Sequence, residues 1–180
     1  MTNGLVVMTP TSVATTGASS TATINVDGSV TFGLCETLSL NGVFTSDYDN
    51  YMVTMRLNSA AGTNIQGRLR KGSTDVTTGY VFQTLTASST SVSGARYSAT
   101  SWDIADVYAT QRAGATIYFY GPYLFQPTAF RTLGANDYIS AAIFEHAGTH
   151  SASSSCDGFT FNPNSATTFT GLVTVFGFNQ

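Results

Sequence analysis

His146 and His150 are the only histidines in the 180-residue chain, four apart in Glu145-His146-Ala147-Gly148-Thr149-His150. On a helix, imidazoles at i and i+4 can hold zinc, as in His-Glu-x-x-His. Here the glutamate precedes the first histidine and Gly148 interrupts the turn. On a strand the two rings share a face but lie about 13 Å apart. The spacing points to exposed or interface histidines, with a metal held across a symmetry axis as the alternative. Paired carboxylates are the other candidate machinery, because a glycosidase needs two. Asp47 with Asp49, and Asp103 with Asp106, are the close pairs. Each is read beside a turn, where aspartate is expected for local hydrogen bonding. Calcium ligation by Asp47, Asp49 and Asn50 is the weak alternative, since the acidic cage is incomplete. No Gly-x-Ser-x-Gly elbow, Walker loop or Gly-x-Gly-x-x-Gly occurs. No catalytic residue, metal ligand or cofactor is assigned, and the expectation is a protein that is not an enzyme.

Aromatic residues offer binding instead. Tyr118, Tyr120, Tyr123 and Phe125 cluster, with Trp102 and Tyr108 upstream. Core or interface packing explains them; the competing reading is a saccharide patch with Trp102, Tyr118, Tyr120 and Tyr123 as its stacking residues. Arg68, Arg70 and Lys71 are the one basic cluster, read as a solvated strand edge. With a net charge of −3, binding to nucleic acid is not expected.

These side chains must be carried by strands. Tyr51, Val53, Met55 and Leu57 alternate with Thr54, Arg56 and Asn58, the period of a half-buried strand. Asp27-Gly28 and Asn41-Gly42 read as hairpin turns. Further strands are expected over 22–26, 29–34, 37–40, 65–70, 79–86, 113–120, 158–162 and 169–178. Residues 87–101 read as a long Ser/Thr-rich loop. Trp102 to Tyr108 is ambiguous, Tyr123 to Arg131 is an edge strand or extended loop because of Pro127, and Tyr138 to Glu145 is a strand or short helix. Nine or ten strands at this spacing predict an all-β fold, a single β-sandwich of jelly-roll type over 22–180. Residues 1–21, small and turn-prone, are expected to form an extended N-terminal arm held by a neighbouring subunit.

Composition bears on partners. Charged residues are 9% of the chain, against roughly 25% in an average soluble domain. Ser and Thr, about a quarter of the chain, take their place. Strands such as 115–120 and 172–178 carry large apolar groups on both faces, which predicts burial between subunits. A homo-oligomer is expected, a ring or trimer, with Leu5, Val6, Val7, Met8, Phe176 and Phe178 in the interface. Cys35 and Cys156 are read as two buried thiols, with one long-range disulfide as the alternative. No basic start or long apolar run is present, so neither a signal peptide nor a membrane span is expected, and the lack of a glycosylation sequon disfavours a eukaryotic secreted protein.

Three stretches carry a resemblance. They are Val30-Thr31-Phe32 through Leu38-Ser39-Leu40-Asn41-Gly42-Val43-Phe44, then Tyr48-Asp49-Asn50-Tyr51, and Gly158-Phe159-Thr160-Phe161 through Phe169-Thr170-Gly171 to Val175-Phe176-Gly177. Together they resemble small β-rich virion proteins of tailed bacteriophages, especially those of cyanobacterial and marine phages. The resemblance implies a virion structural protein, assembled in the host bacterial cytoplasm. It would serve as a capsid decoration or a tail, fibre or knob component, with other virion proteins as partners. A host-surface glycan is the further partner if the chain is an adhesin head.

Overall fold

The computed structural model describes residues 4–136 and 142–179. Among them there is no helix, and the chain runs through sixteen strands. In order these are β1 (Val6–Val7), β2 (Ser12–Thr16), β3 (Thr21–Ile24), β4 (Val30–Cys35), β5 (Thr37–Asn41), β6 (Asn50–Ser59), β7 (Thr63–Lys71) and β8 (Thr74–Asp75). They continue with β9 (Tyr80–Ser88), β10 (Ser91–Ala99), β11 (Trp102–Val107), β12 (Arg112–Tyr120), β13 (Thr128–Asn136), β14 (Ala142–His150), β15 (Gly158–Pro163) and β16 (Phe169–Phe178). Two antiparallel sheets pack face to face as a β-sandwich. The larger, of ten strands, is ordered β10-β9-β14-β13-β12-β6-β16-β4-β3, with β1 also on β16. The smaller, of six, is ordered β11-β7-β15-β5-β2, with β8 on β7.

Alternation sets the inner face. Tyr51, Val53, Met55 and Leu57 of β6 are buried between Ala113, Ala115, Ile117 and Phe119 of β12 and Val173 and Val175 of β16. Phe44, Phe119 and Phe159 stack across the sandwich with centroids 5.2–5.8 Å apart. Trp102 fills the space between the sheets on a glycine: its cross-strand partner is Gly67, where a Cβ would lie 2.4 Å from the indole. The ring meets Tyr80, Phe119 and Phe130 at 5.1–5.7 Å. Burying so large a ring contributes on the order of 4–6 kcal/mol.

Turn chemistry explains some connections and misleads at others. Asp27-Gly28 closes the β3–β4 hairpin: the Asp27 carboxylate accepts hydrogen bonds from the Ser29 N–H (3.0 Å) and hydroxyl (2.6 Å). Those bonds hold its pKa below the usual carboxylate range. Asn41-Gly42 is not a hairpin turn. Gly42 (φ 67°) ends β5 and sends the chain back to the larger sheet, where β6 begins. The crossing is fastened by Tyr51, whose hydroxyl accepts from the Thr45 N–H (2.7 Å) and donates to the Thr45 carbonyl (2.9 Å).

Residues 87–101 are not a loop. They complete β9 and form β10, a hairpin in unbroken register from Ser91↔Ser88 to Ala99↔Tyr80. Hydrophobic periodicity is missing there because all nine residues of β10 are exposed; backbone pairing alone defines the strand. Trp102 to Val107 is a strand with a bulge between Asp103 and Ala105. Pro127 ends a loop, and the strand after it, β13, lies inside the sheet between β12 and β14 rather than at an edge. In the stretch 138–145, residues 138–141 lie outside the described ones, and the rest belongs to β14. Within the first 21 residues the observed partners belong to the same chain: β1 pairs with β16 and β2 with β5.

Candidate functional site

The outer face of the larger sheet gathers most of the residues that composition and pattern single out. Cross-strand register places Tyr118, Met52, Phe176 and Val7 in one row, and Tyr120, Asn50 and Phe178 in the next. Tyr118 and Tyr120 of the proposed saccharide residues therefore share one surface with Val7, Phe176 and Phe178 of the proposed interface residues, whereas Val6 falls in the inward row of Gly177 and Tyr51 and Met8 packs against the core. Tyr118, Phe176 and Phe178 are half-buried, while Tyr120 and Tyr123 are each more than a third exposed. Tyr123 sits in the loop after β12 with Leu124 and Phe125, the latter 77% exposed. Leu5 and Val7 are exposed, Val6 and Met8 half-buried, and the Met8 N–H donates to the Val175 carbonyl (2.8 Å). Trp102 does not belong to this surface. It is fully buried, because the missing side chain of Gly67 admits its ring to the core, so it cannot stack on a sugar.

A second apolar area lies on the same face nearer the β10 edge. Leu133 and Leu85 flank Glu145 in one row, and Ile143, Ala87 and Val92 follow in the next. Ile143 and Val92 are 63% and 70% exposed. They line a shallow groove with Phe144 at its base. Each residue alternates with inward neighbours on its own strand, so only the pairing of β10, β9, β14 and β13 makes them contiguous.

The histidines are not exposed. His146 and His150 point inward from β14, opposite Thr132 and Thr128, and both are buried. Tyr80 lies 4.9 Å from His150, and Phe144 lies 5.4 Å from His146. No ring nitrogen of either makes a well-formed hydrogen bond. Burial pushes both pKa values down; Asp103 and Glu145 offset part of this for His146, and the Thr78 backbone does so for His150. Among the described residues no three His, Cys, Asp or Glu gather as a metal-holding group.

An acid response follows. With folded-state values below the unfolded one, about 6.5, the unfolded chain binds more protons, so stability rises with pH. It should therefore be lost progressively as pH falls through about 6.5 toward the folded-state values. Asp106, raised by burial and by Asp103, acts oppositely and nearer its own unfolded range. The urea midpoint should be lower at pH 5.5 than at pH 7.5, and a His146→Gln/His150→Gln variant should lose most of that difference.

Of the paired carboxylates, those of Asp47 and Asp103 accept hydrogen bonds within the chain. Asp47 accepts from the Thr45 hydroxyl (3.4 Å), and the Asp49 carbonyl accepts from the Gly121 N–H (2.8 Å). Asp103 lies within a strand rather than at a turn, accepting from Gln66 Nε2 (3.1 Å). Cys35 and Cys156 are free and buried, with burial raising both thiol pKa values.

Of the basic cluster only Lys71, at the end of β7, is exposed, and the strand that carries the cluster is not an edge. β7 lies between β11 and β15. The guanidinium of Arg70 is buried, donating to Asn41 Oδ1 (2.9 Å), Ser39 Oγ (3.0 Å) and Thr160 Oγ1 (2.7 Å), and also to Asp75 and the Ser73 carbonyl. Thr160 in turn donates to Asp75 (2.6 Å). The network is closed by the short β7–β8 turn, which brings Asp75 over Arg70 as its register partner. Arg68 is half-buried, its Nε donating to the Thr100 carbonyl (3.2 Å).

A scan of known protein families finds no match, and no curated protein matches the chain.

Proposed function

We propose that the chain is a non-enzymatic structural subunit of a tailed-bacteriophage particle. It would be assembled in the host bacterial cytoplasm and exposed on the virion as a homo-oligomeric capsid decoration or tail- and fibre-associated component. The observation that supports this reading is the apolar outer face of the larger sheet, where Leu85, Val92, Leu133 and Ile143 stand in water on a body carrying little charge. Contiguous exposed apolar surface of this kind marks a contact with another protein. Burying it would stabilise attachment at roughly 25 cal/mol per Å².

The test is re-attachment of purified subunit to particles that lack it. Leu85→Lys with Ile143→Lys should reduce attachment at least about tenfold while leaving the melting temperature unchanged, since both side chains are exposed. Normal attachment by that variant, or absence of the chain from purified particles, overturns the reading. Deleting residues 1–21 is a poorer test, because it strips hydrogen-bonded strands from both sheets.

A second reading, an adhesin head binding a host-surface saccharide, is favoured by Tyr120 and Tyr123 standing exposed at one end of the sandwich beside Tyr118. Trp102 has no part in it.

A further inference from the structure

The sandwich is closed along one side and open along the other. At the closed side the short edge strands β2 and β3 pack together. At the open side the edges are β11 and β10. β11 is guarded by a bulge and by Asp103 and Asp106, devices that discourage strand addition. β10 has none. It is nine residues long, unbulged, without proline or carboxylate, and exposed throughout. Such an edge is a template for another strand.

Its own pairing fixes which groups are on offer. β9 and β10 are joined by the two-residue turn Ser89-Thr90, so Ser88 and Ser91 form the closing hydrogen-bonded pair. Alternation then directs the N–H and C=O groups of Val92, Gly94, Arg96 and Ser98 to the open edge. The side chains of β10 are also self-complementary. Read antiparallel about Ala95, Arg96 falls opposite Gly94, Tyr97 opposite Ser93, and Val92 opposite Ser98. Every large side chain meets a small one, and the two arginines stand apart. Centring the pair on Arg96 would set like charges face to face, which is destabilising.

We propose that β10 pairs antiparallel with β10 of a second copy of this chain, about a two-fold axis through Ala95, joining the two larger sheets into one. A two-fold axis perpendicular to the sheet requires each residue to meet one on the same face, and the Gly94–Arg96 and Val92–Ser98 pairs satisfy this with outward N–H groups on both sides. A contact of this kind lies near the lower limit of stable interfaces, about 1,000 Å² in total, so association of micromolar order is expected. The proposal names the contact behind the homo-oligomer in the structural-subunit reading and rests on that part of it.

Sedimentation of the full chain over a micromolar concentration series tests it. The expected species has twice the 19.0 kDa mass of the chain. Gly94→Pro and Ser98→Pro each remove an outward N–H and should return the protein to 19.0 kDa. Ser98→Pro should leave the melting temperature unchanged, whereas a Cβ at Gly94 would stand 3.2 Å from the Thr84 carbonyl and should lower it slightly. Charge reports the register: Gly94→Glu, facing Arg96 of the second copy, should tighten association and Gly94→Lys should loosen it, each by about tenfold over the two equivalent pairs. An oligomer indifferent to both prolines, a trimer, or equal weakening by Glu and Lys overturns the proposal. A monomer at every concentration overturns it together with the homo-oligomer. An intact dimer missing from purified particles overturns the virion reading alone.

Discussion

Trp102→Ala is expected to lower the free energy of unfolding by about 3–5 kcal/mol, the range for emptying a large aromatic site in a core. The indole is fully buried, reaches from the smaller sheet to three aromatic rings of the larger one and rests on the bare backbone of Gly67. The neighbours that would have to close the space are strands hydrogen-bonded on both sides, so relaxation is limited. Gly67→Ala should also destabilise, although alanine is otherwise tolerated better than glycine within a strand, because its methyl would stand where the indole lies. Since each change disturbs the same contact, Gly67→Ala combined with Trp102→Ala should cost less than the sum of the two. Urea titration of the four proteins checks this; additivity would show that the stacking has been misread. Loss of saccharide binding in Trp102→Ala would report unfolding, whereas Tyr120→Ala addresses the exposed surface.

The second large effect is at Arg70. Arg70→Ala should cost about 2–4 kcal/mol, below the full penalty for breaking a buried ion pair because Asp75 keeps a quarter of its side chain in water. The loss has two sources: the Asp75 carboxylate is left without its guanidinium, and Ser39, Asn41 and Thr160 lose a donor. Arg70→Met with Asp75→Leu should recover a large part of the loss, because no charge is then left under cover. The comparison is made by chemical denaturation at two salt concentrations. A mostly covered pair should respond weakly to salt, whereas the exposed Arg131–Glu145 pair should matter little to stability at either concentration.

These two sites show how far the chain can be read without coordinates. The alternation at Tyr51–Leu57, the Asp27-Gly28 hairpin and the all-β class follow from local physics, since a pleated strand shows its inner face at every second residue. For Trp102 core or interface packing was the favoured reading, but the choice between that and a saccharide patch was not legible, because its burial depends on Gly67, which lies in another strand. Arg70 looked like an edge charge because its carboxylate partner is reached only after the chain turns at Gly72-Ser73. The histidines looked accessible because polarity was read without the aromatic rings that enclose them.

The outer surface divides in the same way. That Phe176, Phe178 and Val7 need cover can be read from strands that are apolar on two faces. That they adjoin Tyr118 and Tyr120 is a matter of register between β1, β16, β6 and β12. The β10 edge left no hydrophobic signal, because neither of its faces is buried.

By itself the sequence determined the kind of polymer this is: sparsely charged strands with period-two alternation, turn residues between several of them, and more apolar surface than one core absorbs. Only the tertiary structure decided which residues became neighbours and which strand was left unpaired. The reason is physical. Alternation records on which side of a strand a residue lies, while long-range backbone pairing decides what stands beside it.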